Sequence, residues 1–100
     1  MKPIERKLLT IIAESALESL LIGDLKRLGV TGYTVWDVRG EGTRGKRKGD
    51  CDQSRSICLT SICQSTLAHA ILEHLAATYF EDYAIVAYLS DVQVHRGNRF

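Results

Sequence analysis

Four segments of strand character and two amphipathic helical segments follow one another in the order βαββαβ. That order predicts an α+β fold of the ferredoxin-like kind, an antiparallel sheet with both helices on one face. The two segments KLLTIIAE and SICLTSIC are the most uniformly apolar, as the first and third strands must be if they lie at the sheet centre. With 45% apolar and 25% charged residues, the 100-residue chain is expected to form one ordinary globular domain.

The elements are justified in order. Residues 7–14 form an apolar run of strand length. Ser15 and Glu18 then fit an S-x-x-E capping box. Leu17, Leu20, Leu21, Leu25 and Leu28 recur at helical spacing, and Gly29 supplies the glycine that closes a helix. GYTVWDVR, residues 32–39, is dense in β-branched and aromatic residues and predicts the second strand. Residues 40–54, GEGTRGKRKGDCDQS, contain no large apolar side chain; a loop so much longer than a hairpin requires is functional or disordered. Residues 56–63 predict the third strand. Ser65 is placed to cap TLAHAILEHLAATYF, in which Leu67, Ile71, Leu75 and Tyr79 share an apolar face. YAIVAYLSDVQV predicts the last strand, before the polar tail HRGNRF. Since both helices are expected on one face, apolar residues on the other invite packing against further copies.

Charge and cysteine usage narrow the function. A net charge of +1 argues against a general nucleic-acid binder. The basic residues nevertheless concentrate at Arg39, Arg44, Lys46, Arg47 and Lys48, around the single Glu41. RNA recognition on this fold needs stacking aromatics on the two central strands, and KLLTIIAE and SICLTSIC have none. No segment approaches the roughly 20 apolar residues of a membrane span. The start, MKPIERKLLTIIAES, has a short apolar run broken by Thr10 and no small-residue cleavage site, so it reads as part of the fold. Cys51, Cys58 and Cys63 are odd in number and form no C-x-x-C, which predicts reduced thiols, two of them in the core. Neither their spacing nor that of His69 and His74, five apart on a helix, suits a metal site.

Gly40, Gly42 and Gly45 spell G-x-G-x-x-G, but a dinucleotide fingerprint must open a helix, and here a strand follows. Two readings of the residues stay open. Glycines can turn backbone amides into a nest for an anion, with the Thr43 hydroxyl and the Arg44 fork beside it. The same composition also serves a loop that is simply solvated.

The stretch GVTGYTVWDVRGEGTRG, residues 29–45, resembles the second strand and the start of the T-loop in PII signalling proteins. YFEDYAIVAYLSDVQVHRGNRF, residues 79–100, resembles the final strand and tail of the PII-like branch linked to inorganic carbon. That branch includes the PII-like partner of the sodium-dependent bicarbonate transporter and the carboxysome-associated PII protein. The likeness covers nearly the whole chain. It implies a single PII-like domain over residues 1–100, assembled as a homotrimer, with a flexible T-loop at about 40–54 that reports ligand state to a partner. Each cleft between subunits would take an adenine nucleotide.

Carried over by position, Gly32 and Thr34 lie beside the adenine, and Gly40, Gly42, Thr43 and Arg44 wrap the phosphates. Tyr83 and Ala84 fall where the neighbouring loop closes the cleft. Arg96, on the last strand, adds a phosphate contact, with Arg99 a weaker candidate and His95 close by. Departures from the family pattern sharpen the expectation. The glycine- and lysine-bearing stretch that grips outer phosphates in ordinary PII proteins is replaced by TYFEDYA. ADP, AMP or a cyclic nucleotide such as cyclic AMP is therefore expected to compete well with ATP, with ADP or AMP favoured. Arg44 replaces the glutamine that serves magnesium and 2-oxoglutarate, and a guanidinium cannot ligate a cation. Gly42, Thr43 and Arg44 suit bicarbonate instead. Residues 40–54 hold no tyrosine to accept a nucleotidyl group, and the transporter partner's cysteine-bearing C-terminal extension has no counterpart, which favours the carboxysome-associated type.

The resulting expectation is a non-enzymatic cytoplasmic sensor without covalent cofactor or metal. It would control an unidentified protein of carbon uptake or fixation, and reach a membrane or carboxysome only through that partner. The alternative is a slow nucleotide hydrolase or an acylphosphatase-like enzyme. The latter would carry an arginine near the end of the first strand, where Glu14 and Ser15 stand. Trp36 is expected to pack against a helix or a neighbouring subunit. Cys51 is the one thiol placed for a redox role.

Overall fold

Backbone pairing carries the first strand further than its apolar run. In a computed structural model of the chain, which describes residues 2–40 and 55–96, β1 spans Ile4–Glu14. α1 spans Glu18–Leu28, β2 Thr34–Val38, β3 Ser56–Cys63, α2 Ser65–Thr78 and β4 Val86–Val94. The sheet order is β2-β3-β1-β4, with every neighbouring pair antiparallel. The expected βαββαβ order and the central position of β1 and β3 are both present.

Alternation along the strands divides the sheet into two unlike faces. Leu9, Ile11 and Ala13 of β1 point with Leu59 and Cys63 of β3 into the core, where α1 contributes Leu21 and Leu25 and α2 contributes Ala68, Ile71 and Leu75. The intervening positions face away from both helices. There the register aligns Trp36 with Cys58, Cys58 with Ile12, and Ile12 with Val86. The adjoining row runs Thr34, Thr60, Thr10, Tyr88. Trp36 and Tyr88 are 47% and 48% exposed, and Val86 is exposed beside them. The helices of this chain do not cover Trp36.

Three local expectations need correction. The Ser15–Glu18 capping box does not form: residues Ser15–Leu17 make one 3-10 turn and no side chain caps it or α1. The Ser15 amide instead donates to the Arg55 carbonyl (2.7 Å), continuing the β1–β3 pairing past Glu14 and delaying the helix. Ser65 is the first residue of α2 rather than its cap, which is Gln64, and its hydroxyl lies 3.4 Å from His69 Nδ1. On α1, Leu20 is 56% exposed and Leu28 also faces solvent, while Asp24 is buried between Leu21 and Leu25. Gly29 does close α1 as expected: at φ 112° it is left-handed, and its amide reaches the Leu25 and Lys26 carbonyls.

Candidate functional site

Among the described residues, those singled out for ligand binding do not meet within one chain. The sheet register acts as a ruler. Val38, the last residue of β2, is level with Ser56 and thus with Glu14, so Gly40 lies just beyond that end of the sheet. Val86 is level with Ile12, so Ala84 and Tyr83 approach the same end, but along β4. β2 and β4 are the two edges, three strand spacings or about 14 Å apart. Arg96 follows β4 at its far end, separated from Ala84 by a nine-residue strand, about 30 Å. It stands in the turn after β4 and not on the strand as expected. Gly42, Thr43, Arg44, Cys51 and Arg99 lie outside the described residues, as does most of the T-loop segment.

Each described candidate is fixed by local structure. Gly32 sits in the connection from α1 to β2, where its carbonyl accepts a hydrogen bond from Ser61 Oγ (2.7 Å). Ser61 is buried on β3, so the sheet interior anchors this connection. A Cβ added at Gly32 or at Gly40 would meet nothing within 4 Å among the described residues. Thr34 is exposed and pairs with Thr60 at the start of β2. Arg96 is the described non-glycine residue with positive φ, 68°, a conformation that costs an L-residue about 1–2 kcal/mol. His95 beside it is exposed.

Tyr83 and Ala84 belong to the segment joining α2 to β4. Tyr79, at the end of α2, organises it: its carbonyl accepts the Asp82 and Tyr83 amides (3.1 and 3.0 Å), and its ring meets that of Tyr83 edge-on at 5.9 Å. The Tyr83 carbonyl accepts the Ile85 amide (3.0 Å), and Ile85 is buried ahead of β4. Glu81 and Asp82 are exposed in this segment, which contains no lysine or glycine.

Sequence reasoning passed over Asp24. Its carboxylate, 6% exposed, accepts hydrogen bonds from the Tyr79 hydroxyl, from Arg27 and from His74 Nε2 (3.0 Å). An ionised carboxylate only accepts, so the proton of this pair is on Nε2. Burial pushes the Asp24 carboxyl up, but the hydrogen bonds from Tyr79, His74 and Arg27 outweigh it and hold the group below its ordinary range. Burial, and then the Asp24 carboxylate, push the Tyr79 hydroxyl up to about 12. The signal was available: an aspartate on an apolar stripe, three residues after Leu21 and next to Leu25, must bring partners with it. Cys58 and Cys63 are free and buried, as expected, and burial raises both thiols.

The family model for nitrogen regulatory protein P-II matches residues 6–99. The chain belongs to the P-II family. Among solved structures, a protein described as PII-like from Thermus thermophilus shares 40% identity, with a TM-score of 0.84 over 100% of this chain and 99% of the other. CPII, a PII-like protein of Thiomonas intermedia, matches in its form bound to ADP and bicarbonate at 30% identity and a TM-score of 0.84, over 99% and 97% of the two chains. Its form bound to ADP, AMP and acetate matches at 28% identity and a TM-score of 0.86, over 100% and 98%. The PII-like resemblance and the ferredoxin-like fold thus hold for this PII protein. Among its described residues, no helix is long and apolar enough to cross a membrane.

Proposed function

We propose that this PII protein is a non-enzymatic sensor that binds an adenine nucleotide, and bicarbonate with it, in clefts between copies of the chain. The observation that carries this reading is the full-length likeness to CPII, whose solved structure holds ADP and bicarbonate. The geometry supports it. Gly40 and the Tyr83–Ala84 pair lie on opposite edges of the sheet, and Arg96 lies at the other end of β4. A second copy is what brings such residues to one ligand. A homotrimer would also cover Trp36, Val86 and Tyr88.

Gly32 and Thr34 take the adenine, Gly40, Gly42, Thr43 and Arg44 take the phosphates, and Gly42, Thr43 and Arg44 hold bicarbonate. Tyr83, Ala84 and Arg96 complete the cleft. The acidic Glu81 and Asp82 stand where ordinary PII proteins place groups for outer phosphates, which favours ADP and AMP over ATP. Ligand state sets the T-loop at about 40–54, which engages or releases a protein of inorganic carbon uptake or fixation.

Calorimetric titration with ADP, AMP, ATP and cyclic AMP is expected to give one site per chain, tightest for ADP or AMP; absence of binding to all four contradicts the reading. Gly32 and Gly40 give a sharper check, because the described residues leave room for a Cβ at both. Gly32→Ala and Gly40→Ala are expected to keep the thermal stability of the wild type within about 1 kcal/mol while weakening ADP binding roughly tenfold or more. Unchanged ADP affinity in both variants removes these glycines from the site.

A further inference from the structure

We infer that Asp24 and Tyr79, neither of them at the proposed cleft, are positioning residues that set nucleotide affinity by holding the Tyr83–Ala84 wall in place. The inference rests on the proposed function and extends it to residues outside the binding positions.

The connection is continuous. Asp24 is on α1 and Tyr79 closes α2, so the hydrogen bond between the Tyr79 hydroxyl and the Asp24 carboxylate ties the end of one helix to the middle of the other. His74, one turn before Tyr79 on α2, joins the same carboxylate and meets the Tyr79 ring edge-on at 6.2 Å. The tyrosine is thereby held at both ends: its hydroxyl by α1, and its backbone by the last turn of α2, where its amide donates to the Leu75 carbonyl (2.8 Å). It is 5% exposed. From that fixed point it orients Tyr83 twice, through the ring contact at 5.9 Å and through the carbonyl that accepts the Tyr83 amide.

A hydrogen bond to a charged acceptor in a buried setting is both strong and directional. Apolar packing places the Tyr79 ring in the core but is non-directional. The carboxylate supplies the direction. The Tyr83–Ala84 segment has no regular secondary structure of its own, so its position is only as definite as that of the residue it leans on. Since a loosely held binding wall pays an ordering cost on each binding event, fixing it in advance raises affinity.

Tyr79→Phe keeps the ring and deletes the hydroxyl, and Ile71→Val is the control. The control trims one methyl from the same helix within the core cluster, eight residues before Tyr79. Both variants are to be titrated with ADP well below their melting temperatures, with amide exchange at Tyr83 and Ile85 followed in parallel. The expected result is that Tyr79→Phe weakens ADP binding on the order of tenfold and speeds exchange at Tyr83, whereas Ile71→Val lowers stability but leaves both unchanged. Asp24→Asn, which retains an acceptor for the Tyr79 hydroxyl, is expected to fall between wild type and Tyr79→Phe. Wild-type ADP affinity in Tyr79→Phe overturns the inference alone. Equal weakening by Ile71→Val also overturns it, because the effect would then track stability. A wild type that binds no ADP overturns the proposed function and, with it, this inference.

Discussion

Trp36→Arg and Tyr88→Glu are each expected to convert the proposed homotrimer into monomers and to abolish nucleotide binding with it. Both side chains stand on the sheet face opposite the helices, on its two edge strands, roughly half exposed in the single chain. Between them lie Ile12 and Cys58 from the central strands. An aromatic anchor at the middle of an interface typically carries about 2–4 kcal/mol, and a charge placed there without a partner adds several more. The fold itself should survive. The core of Leu9, Ile11, Leu59, Ile71 and Leu75 is on the other side of the sheet and loses no contact. Light scattering gives the assembly state, far-ultraviolet circular dichroism the fold, and ADP titration the consequence. Variants that keep the wild-type mass would show that the open face is not where copies meet.

The second large effect concerns the buried carboxylate. Asp24→Ala deprives the buried Tyr79 hydroxyl of its acceptor and removes the partner shared by Arg27 and His74. A loss of about 2–4 kcal/mol in unfolding free energy is expected at neutral pH. The pH dependence has a definite sign at both ends. Asp24 titrates below its ordinary range when folded, so its contribution is complete above that range and is lost as pH falls through the folded value. Tyr79 behaves oppositely. Its hydroxyl rises from 10.0 to about 12 on folding, so its contribution is complete below pH 10 and is lost as pH rises toward 12. The shift corresponds to roughly 3 kcal/mol across that window. Tyr79→Phe should lack this alkaline loss, and its stability curve should converge on that of the wild type near the top of the window. Parallel curves for the two proteins would mean that the Tyr79–Asp24 bond contributes nothing to folding.

The strands and their order were legible because their signal is local. β-branched and apolar residues cluster in β1, β3 and β4, and β1 and β3 carry apolar side chains on both faces, Leu9, Ile11 and Leu59 toward the helices and Ile12, Cys58 and Ile62 away from them. Helix starts were less legible. A serine three residues before a glutamate reads as a capping box, yet the Ser15 amide was already engaged by Arg55, a residue 40 positions away, and no local pattern reports that. Asp24 was marked by its place on the leucine stripe, but its partners were not. Periodicity picks out the leucines of α1, including the exposed Leu20 and Leu28, but cannot tell which face of the helix a partner on α2 will occupy.

The candidate residues came mainly from family likeness. Composition raised only the choice between an anion nest and a solvated loop at 40–54. The resemblance named Gly32, Thr34, Gly40, Gly42, Thr43, Arg44, Tyr83, Ala84 and Arg96, and for the described ones the fold explains why no periodicity would have joined them: they stand on different edges and ends of one sheet. Only an assembly relates such positions, and a single sequence carries no direct trace of its neighbours beyond exposed apolar side chains such as Trp36 and Tyr88.

The central claim is a sensor that reads an adenine nucleotide and bicarbonate together, and linkage tests it most directly. ADP affinity is to be measured by calorimetry at several bicarbonate concentrations with chloride-balanced ionic strength, and bicarbonate affinity at several ADP concentrations. The account predicts that bicarbonate tightens ADP binding, and that ADP tightens bicarbonate binding by the same factor, because the coupling free energy between two ligands is reciprocal. ADP binding that is indifferent to bicarbonate would contradict it.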